Sequence, residues 1–413
     1  MSLLLKRGKV FLDNKFVETS ILIENNMISK IDNELNNAEN IIDCSNKHIL
    51  PGLIDIHVHF RDFGQEEKED WISGSKAALS GGITTVLDMP NNNEPITTIE
   101  KLKLKEKLVS EKSLINFGLY IAITEHNIEE INKTDLKYVK LYYGETTGEI
   151  NPGKVEKIFK NLNKDILIVA HAEENDIIKL NKKNYSIDEI NFHSLIRDNK
   201  AEYTAVNFLI ELAEKYGNRL HITHVSTKES MLLIKQAKNK GLKITCDSCP
   251  HYLFLDNSMY NKIGNKAKVN PSLKSKEDRK ALWEFLINGD IDCICSDHAP
   301  HTFEEKSQEY NKCPSGFSSV ELSVPLMLSS VNKGKIKLEQ FVKLMSVNPA
   351  KIFGLKNKGE IKEGFEANLT IIDLEKEGII KGKKMISKSK WTPFEGFKTK
   401  GKGVMTFVNG TKK

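Results

Sequence analysis

The sequence contains no run of about 20 consecutive apolar residues, the length that a membrane-spanning helix needs. Near its start, only Leu3, Leu4 and Leu5 precede the charged Lys6 and Arg7, which is too short for the apolar core of a signal peptide. From these absences we expect no membrane association and a cytoplasmic location.

Cysteine is scarce, with six residues in 413, and in a cytoplasmic protein we expect all six to be thiols. Cys246 and Cys249 form a C-x-x-C pair, but no second pair follows at the spacing of a zinc ribbon. Cys293 and Cys295 alternate along an apolar segment, where cysteine is typically a small core residue. We therefore expect neither a structural zinc nor a redox motif here.

The chain also lacks a basic stripe interleaved with aromatic residues, which argues against nucleic acid as a partner. Its net charge of +5 is mild for this length, and the lysines are scattered, with denser runs at 101–112 and 381–390. We expect these two runs to form solvated helix faces and loops.

Eight short apolar runs alternate with helical patterns through the middle of the chain. Repeated strand–helix units favour an α/β fold with a parallel sheet, and eight of them predict a (β/α)₈ TIM barrel. The runs lie near 53–57, 84–89, 117–123, 137–142, 166–170, 219–224, 243–248 and 291–296.

Both ends of the chain show short alternating segments separated by turn residues, a pattern typical of antiparallel strands. We expect residues 1–50 and 358–413 to pair into one small β-sandwich domain. Residues 51–357 are then expected to form the catalytic barrel.

Ligand-type side chains follow several predicted strands, and chemistry in such barrels lies at the carboxyl ends of the strands. His57 and His59 are two positions apart, so both side chains can point to the same side. Histidine or aspartate recurs at later strand ends, at His171, His224 and Asp297.

Four histidines and an aspartate suit zinc or a similar divalent ion, and five ligands exceed one tetrahedral site, which indicates two metal ions. Lys140 is ambiguous at this point. As an ammonium it would repel a metal ion, whereas its carbamate with CO₂ would be an anion able to bridge two ions. The spacing alone favours a plain lysine that reaches the surface or pairs with Glu173.

The chain resembles the type I dihydroorotases, a class within the amidohydrolase superfamily. The resemblance covers essentially the whole chain and is specific in its motifs. It rests on Pro51–Arg61, Gly64–Asp70, Gly81–Asn91, Val139–Tyr142, Ala170–Glu173, Ile222–Ser226 and Ser296–His301, with Asn348–Ala350 near the end.

The resemblance implies two divalent ions, expected to be zinc. His57, His59 and Asp297 match the ligands of one ion, and His171 and His224 match those of the other. Lys140 matches the lysine whose CO₂-derived carbamate bridges them. Asp297 matches the general acid/base that works with the hydroxide activated by the binuclear site.

The resemblance also implies the substrate pocket, for the reversible cyclisation of N-carbamoyl-L-aspartate to L-dihydroorotate in de novo pyrimidine biosynthesis. Metal ligand His59 is expected to touch the substrate as well. The other matching positions are the α-carboxylate residues Arg61, Asn91 and His301, the further contacts Asn270, Ser315 and Gly316, and Thr146 on a mobile loop.

Two alternatives remain at this point. An allantoinase or hydantoinase would share the metal ligands but would not need the carboxylate pocket of Arg61, Asn91 and His301. An inactive scaffold for aspartate transcarbamoylase would be expected to have lost ligands, and none is missing. A homodimer and association with aspartate transcarbamoylase are further expectations from the resemblance.

Overall fold

Sixteen strands occur in residues 2–145 and 150–413, the ranges described in the computed structural model of the chain. In chain order they are β1 (Ser2–Leu12), β2 (Lys15–Glu24), β3 (Met27–Ile31), β4 (Asn40–Asp43), β5 (His48–Pro51), β6 (Leu53–Val58), β7 (Ile83–Asp88), β8 (Asn116–Leu119), β9 (Tyr138–Tyr143), β10 (Leu167–Ala172), β11 (Arg219–Ile222), β12 (Ile244–Ser248), β13 (Cys293–Ile294), β14 (Leu369–Ile379), β15 (Lys398–Val408) and β16 (Thr411–Lys412).

Fifteen α-helices lie within the same ranges. They are α1 (Trp71–Gly81), α2 (Ile99–Lys112), α3 (Ile128–Asn132), α4 (Val155–Asn161), α5 (Asn175–Asn184), α6 (His193–Ile196), α7 (Asn199–Tyr216), α8 (Lys228–Asn239), α9 (Pro250–Phe254), α10 (Met259–Ile263), α11 (Lys276–Ile287), α12 (Phe303–Lys306), α13 (Ser323–Asn332), α14 (Leu338–Val342) and α15 (Asn348–Phe353). None of the helices in the described ranges has the length and apolar character to cross a membrane.

Strands β6 to β13 are parallel neighbours and form the barrel. Two bridges close it: Ala122 pairs with Lys140 between β8 and β9, and Val58 pairs with His298 between the first and last strands. Strands β6, β7 and β10 are buried along their whole length, because the helices cover one face and the barrel interior the other. The predicted barrel is confirmed, strand by strand.

The remaining strands form one sheet from both chain ends, in the order β16-β15-β14-β5-β1-β2-β3, with β4 also paired to β1. Apolar residues from both ends share a core separate from that of the barrel, including Leu5, Ile21, Ile49, Leu369 and Phe407. The expected β unit built from both termini is therefore present. The domain boundaries at 50/51 and 357/358 stay a prediction.

Candidate active site

The side chains predicted from the strand ends meet in one cavity at the carboxyl end of the barrel. Of the predicted residues within the described ranges, only His301 does not line the cavity directly, and it contacts Arg61 instead. Thr146 lies outside the described residues. The lining consists of His57, His59, Arg61, Asn91, Lys140, Tyr142, His171, His224, Val269, Asn270, Asp297, Ala299, Ser315 and Gly316.

His57, His59 and Asp297 form a cluster that is able to hold a metal ion. The Nε2 atoms of both histidines lie 3.3 Å from Oδ1 of Asp297. Two rings at the end of β6 and one carboxylate after β13 thus converge on one point, because these two strands are adjacent where the barrel closes.

The ring of His57 is oriented by a hydrogen-bond chain behind it. Its Nδ1 lies 2.8 Å from Oγ1 of Thr223, and that hydroxyl donates to Oδ2 of Asp247 at 2.9 Å. Since the hydroxyl proton goes to Asp247, the Thr223 oxygen accepts the proton on Nδ1 of His57. Nε2 then carries the lone pair, and it points at the cluster.

Asn91 orients His59 in the same way. Its Oδ1 lies 2.6 Å from Nδ1 of His59 and accepts the proton there, which leaves Nε2 as the ligand atom. Asn91 was predicted to bind the substrate, and the structure gives it this additional contact with a predicted metal ligand.

His171 and His224 form a second pair, with Nδ1 of His171 3.0 Å from Nε2 of His224. Glu173 accepts from Nε2 of His171 at 3.0 Å, so the lone pair of His171 lies on the nitrogen that faces His224. Burial raises the pKa of Glu173, but the charge of Arg197 and the hydrogen bond with His171 together have a larger effect and lower this pKa to about 2. Glu173 therefore stays ionised.

Lys140 is buried between the two histidine pairs, with 1% of its surface exposed. Its Nζ has no hydrogen-bond partner among the described residues. Burial lowers its pKa to about 8, although Asp247 and Asp297 oppose this. The pairing with Glu173 that the spacing allowed is not observed, because Glu173 binds Arg197 and His171.

The residues present fit a divalent metal centre. Burial lowers the pKa of His57, His59 and His224 well below the usual histidine value, and also lowers that of His171, so the imidazoles are neutral near pH 7. Neutral imidazoles are the ligands that zinc and related ions prefer, and the lone pairs assigned to Nε2 of His57 and His59 point at the Asp297 carboxylate. The unpartnered Nζ of Lys140 lies among them.

Arg61 lies on the other wall of the cavity and has 4% of its surface exposed. Its Nε donates to the carbonyl of Pro300 at 3.3 Å, and Nη2 lies 3.2 Å from Nε2 of His301. No carboxylate within residues 2–145 and 150–413 lies at ion-pair distance from Arg61. Burial lowers the pKa of the guanidinium, which remains a cation at neutral pH.

The remaining predicted contacts complete this wall. Oδ1 of Asn270 is buried and has no hydrogen-bond partner in the described part of the chain. Nε2 of His301 lies 3.1 Å from the carbonyl of Ser315. Gly316 has a φ of +139°, and a Cβ there would lie 2.6 Å from the carbonyl oxygen of Ala299, so only glycine fits.

Three site residues adopt left-handed backbone conformations that non-glycine residues rarely occupy. The φ values are +63° for Arg61, +43° for His224 and +46° for Asp297. Such a conformation costs about 1–3 kcal/mol and persists only where the surroundings enforce it. All three residues follow barrel strands, where the chain turns sharply and directs their side chains into the cavity.

Four residues that support the site were not predicted: Thr223, Asp247, Glu173 and Arg197. Asp247 is the most connected, because it also accepts from the backbone nitrogen of His224 at 2.6 Å. It forms a second group with metal-binding capacity together with Cys249 and Cys295. All six cysteines are free thiols, as expected from the sequence, and the structure shows that all six are buried. The signal available for Asp247 was a single carboxylate inside a short strand that is otherwise uncharged.

The amidohydrolase family matches residues 48–413 of the chain. The sequence is 36% identical to a dihydroorotase from Methanosphaera stadtmanae, over 99% of this chain and 95% of that protein. It is 39% identical to a dihydroorotase from Pyrococcus horikoshii, over 98% of this chain and 90% of that protein.

Among solved structures, an L-hydantoinase (dihydropyrimidinase) from Arthrobacter aurescens superposes with a TM-score of 0.94 and 30% identity, covering 99% of this chain and 95% of that one. A dihydropyrimidinase from Brevibacillus agri gives a TM-score of 0.92 and 26% identity, with coverage of 100% and 95%. The resemblance found in the motifs is confirmed. The chain belongs to the amidohydrolase family.

Proposed function

We propose that the protein is a dihydroorotase, which interconverts N-carbamoyl-L-aspartate and L-dihydroorotate in de novo pyrimidine biosynthesis. It is a cyclic amide hydrolase, as its family and its dihydroorotase relatives support. The finer steps below, the residue roles and the metal identity are parts of the proposal.

The buried guanidinium of Arg61 is the observation that favours dihydroorotate as the substrate. A buried cation with no carboxylate at ion-pair distance in the described part of the chain is costly, and an anionic ligand offsets that cost. The α-carboxylate of dihydroorotate has the charge and the planar geometry that a guanidinium binds through two N–H groups. Asn91 and His301, which lie on either side of the Arg61 turn, complete a carboxylate pocket.

The metal side of the proposal is a binuclear centre, expected to hold zinc, with His57, His59 and Asp297 at one ion and His171 and His224 at the other. We propose that the amine of Lys140 adds to CO₂ and releases a proton, and that the resulting carbamate would supply anionic oxygen ligands to both ions. The buried Nζ, which has no hydrogen-bond partner among the described residues, supports this. When bound, the cations act as Lewis acids and make hydroxide available near neutral pH.

Asp297 is proposed to move the proton. In ring opening, water adds across the ring amide, and the proton released from it passes through the Asp297 carboxylate to the departing nitrogen. The left-handed turn at Asp297 directs this carboxylate between His57 and His59, where Oδ1 is held. Its second oxygen is the atom proposed to carry the proton.

The Asn270 amide, the backbone at Ser315 and Gly316, and His59 are proposed to contact the pyrimidine ring. Asn270 Oδ1 is a buried acceptor that a ring N–H would satisfy. Gly316 allows the close approach of backbone groups. Thr146 is proposed to cover the substrate from its loop.

A hydantoinase is the second candidate, because the solved structures named above are hydantoinases or dihydropyrimidinases. The metal ligands do not separate the two functions. A neutral hydantoin ring gives Arg61 no carboxylate partner, and the dihydroorotase relatives are more similar in sequence than these structures are.

The deciding experiment compares dihydroorotate, allantoin and hydantoin as substrates of one preparation, with metal analysis of the same sample. We expect turnover of dihydroorotate and about two divalent ions per chain, the number that the proposed ligand set holds. Preferred turnover of hydantoin would reassign the substrate. Turnover of none of the three, without bound metal, would favour a scaffold.

A homodimer, association with aspartate transcarbamoylase and a cytoplasmic location belong to the proposal as well. Six free thiols support a reducing compartment. Sedimentation of the purified chain, alone and with aspartate transcarbamoylase, tests both assemblies.

A further inference from the structure

Lys105, in the middle of α2, is completely buried. The expectation that the lysines of 101–112 are all solvated is therefore wrong for this residue. Lys103 and Lys107, on the same helix, are exposed as expected. The helix places Lys105 on the face that packs against the barrel, together with Leu102 and Val109.

All three hydrogen-bond acceptors of the Lys105 ammonium lie at the end of β7 or on the turn that follows. Nζ lies 2.5 Å from Oδ2 of Asp88, and it donates to the carbonyl of Met89 at 3.0 Å and to Oδ1 of Asn92 at 2.9 Å. Asn91 stands between these contacts in the sequence. One side chain therefore fixes the turn on both sides of the residue that orients His59 and lines the carboxylate pocket.

The other oxygen of Asp88 extends the connection to the first strand. Oδ1 of Asp88 accepts from the backbone nitrogen of Phe60 at 2.7 Å. Phe60 lies directly between His59 and Arg61, in the turn where Arg61 adopts its left-handed conformation. The Lys105–Asp88 pair thus ties the turns that carry Asn91 and Arg61 to one helix.

Stability alone does not account for a lysine at this position. A buried ion pair is expensive to desolvate, and apolar side chains of similar size often replace one without loss of stability. What an ammonium provides here is three directed N–H groups for acceptors on a single turn.

We propose that Lys105 is a positioning residue for the substrate carboxylate pocket and acts through the turn 89–92, above all through Asn91. The inference rests on the proposed function, since it concerns binding of the carboxylate of dihydroorotate. Lys105 itself does not touch the substrate, because it lies behind the turn and does not line the cavity.

The test compares Lys105→Met with the matched control Lys107→Met, which changes an exposed lysine of the same helix. For Lys105→Met we expect KM for dihydroorotate to rise about tenfold, because small displacements of binding groups are costly. With zinc at a saturating concentration we expect kcat to stay within about twofold of wild type and metal content to be unchanged, since the strand ends still hold the ligands. The control should match wild type in KM and kcat.

A double-mutant cycle with Asn91→Ala separates positioning from general destabilisation. If Lys105 acts through Asn91, adding Lys105→Met to Asn91→Ala should raise KM by less than about twofold, because coupled residues are non-additive. If the factors by which Lys105→Met and Asn91→Ala raise KM multiply in the double variant, the two residues act independently and the proposal is overturned. A Lys105→Met variant that melts at a lower temperature but keeps the wild-type KM would also overturn it.

If Lys105→Met does not fold, as judged by circular dichroism, Lys105→Gln is measured by the same criteria, because its amide keeps neutral donors. An active wild type with an unchanged KM in the folded variant contradicts this inference alone. A wild type that does not turn over dihydroorotate contradicts the proposed function, and the inference with it.

Discussion

The two walls of the cavity are built in different ways. The metal-side cluster, defined as His57, His59, Lys140, His171, His224 and Asp297, lies on barrel strands or within a few residues of their ends. The carboxylate-side cluster, defined as Arg61, Asn91, Asn270, His301, Ser315 and Gly316, has no member on a strand and extends into loops farther along the chain. The arrangement of the barrel strands brings the first cluster together and hydrogen bonds orient its side chains, whereas the position of the second cluster itself depends on contacts that hold the loops.

The walls also differ in what they offer a ligand. The metal-side cluster presents imidazole lone pairs and one carboxylate, which suit a cation. The carboxylate-side cluster presents a buried guanidinium and amide groups, which suit an anion. A site with both walls favours an anionic substrate that is processed by a cationic cofactor. Changes confined to one wall should therefore have separable effects.

The largest effect is expected for Lys140→Ala on the metal side. If Lys140 is the carbamate bridge, the variant should lose about one of two metal ions and at least about a hundredfold in kcat, because a metal ligand is removed. Metal analysis and steady-state kinetics measure both quantities. Partial rescue by short carboxylic acids or bicarbonate would support the bridge, and unchanged metal content and rate would exclude it.

Arg61→Met tests the opposite wall. Removing a charge-assisted bidentate contact of about 2–3 kcal/mol should raise KM for dihydroorotate about 30- to 150-fold. Metal content should remain as in wild type, because Arg61 does not reach the ligands with a hydrogen bond. If the variant keeps full affinity for dihydroorotate, Arg61 does not bind the carboxylate, and this result would favour a neutral ring as the substrate.

Thr223→Val tests whether the hydrogen-bond chain behind His57 orients this metal ligand. Valine has a similar shape but cannot accept from Nδ1 of His57, so the tautomer of His57 is no longer fixed. Metal affinity should fall about 10- to 100-fold. Titration of the metal-free protein with zinc measures this. Thr85→Val is the control, because Thr85 is a buried threonine of β7 whose hydroxyl has no hydrogen-bond partner among the described residues. Equal affinities in both variants would argue against orientation by Thr223.

Asp70→Ala should produce the smallest effect of these variants, and it should alter neither wall of the cavity. Asp70 caps α1, where its Oδ1 accepts from the backbone nitrogen of Ser73 at 2.7 Å. Burial raises the pKa of Asp70, but hydrogen bonds from Lys388 and Ser73 together have a larger effect and lower this pKa to about 2. Loss of the cap should cost about 1 kcal/mol of stability at pH 7 with KM and kcat unchanged.

The lowered pKa fixes the direction of the pH dependence of this cap. Asp70 stabilises the fold above its unfolded pKa near 3.8, and the stabilisation disappears as pH falls through about 2. The difference in melting temperature between wild type and Asp70→Ala should therefore shrink between about pH 4 and pH 2. Glu111→Ala, at an exposed position, is the control. A difference that grows on acidification would contradict the assignment.

The sequence by itself determined the barrel, the β unit built from both termini and the metal-side cluster. Strand ends in a parallel barrel meet at one rim whatever the loops do, so His57, His171, His224 and Asp297 could be placed from their positions after apolar runs. The motifs that carry the family resemblance added the substrate residues, Arg61 among them.

Only the tertiary structure decided which polar groups support these residues. Asp247 on β12 supports His57 through Thr223 and His224 through its backbone nitrogen, and Lys105 reaches the turn of Asn91 from a helix whose sequence predicted a solvated face. A lysine in a charged run has the same local pattern whether its ammonium is in water or buried. The difference depends on acceptors such as Asp88, 17 positions earlier in the chain, which only the packing of α2 on the barrel brings within 2.5 Å.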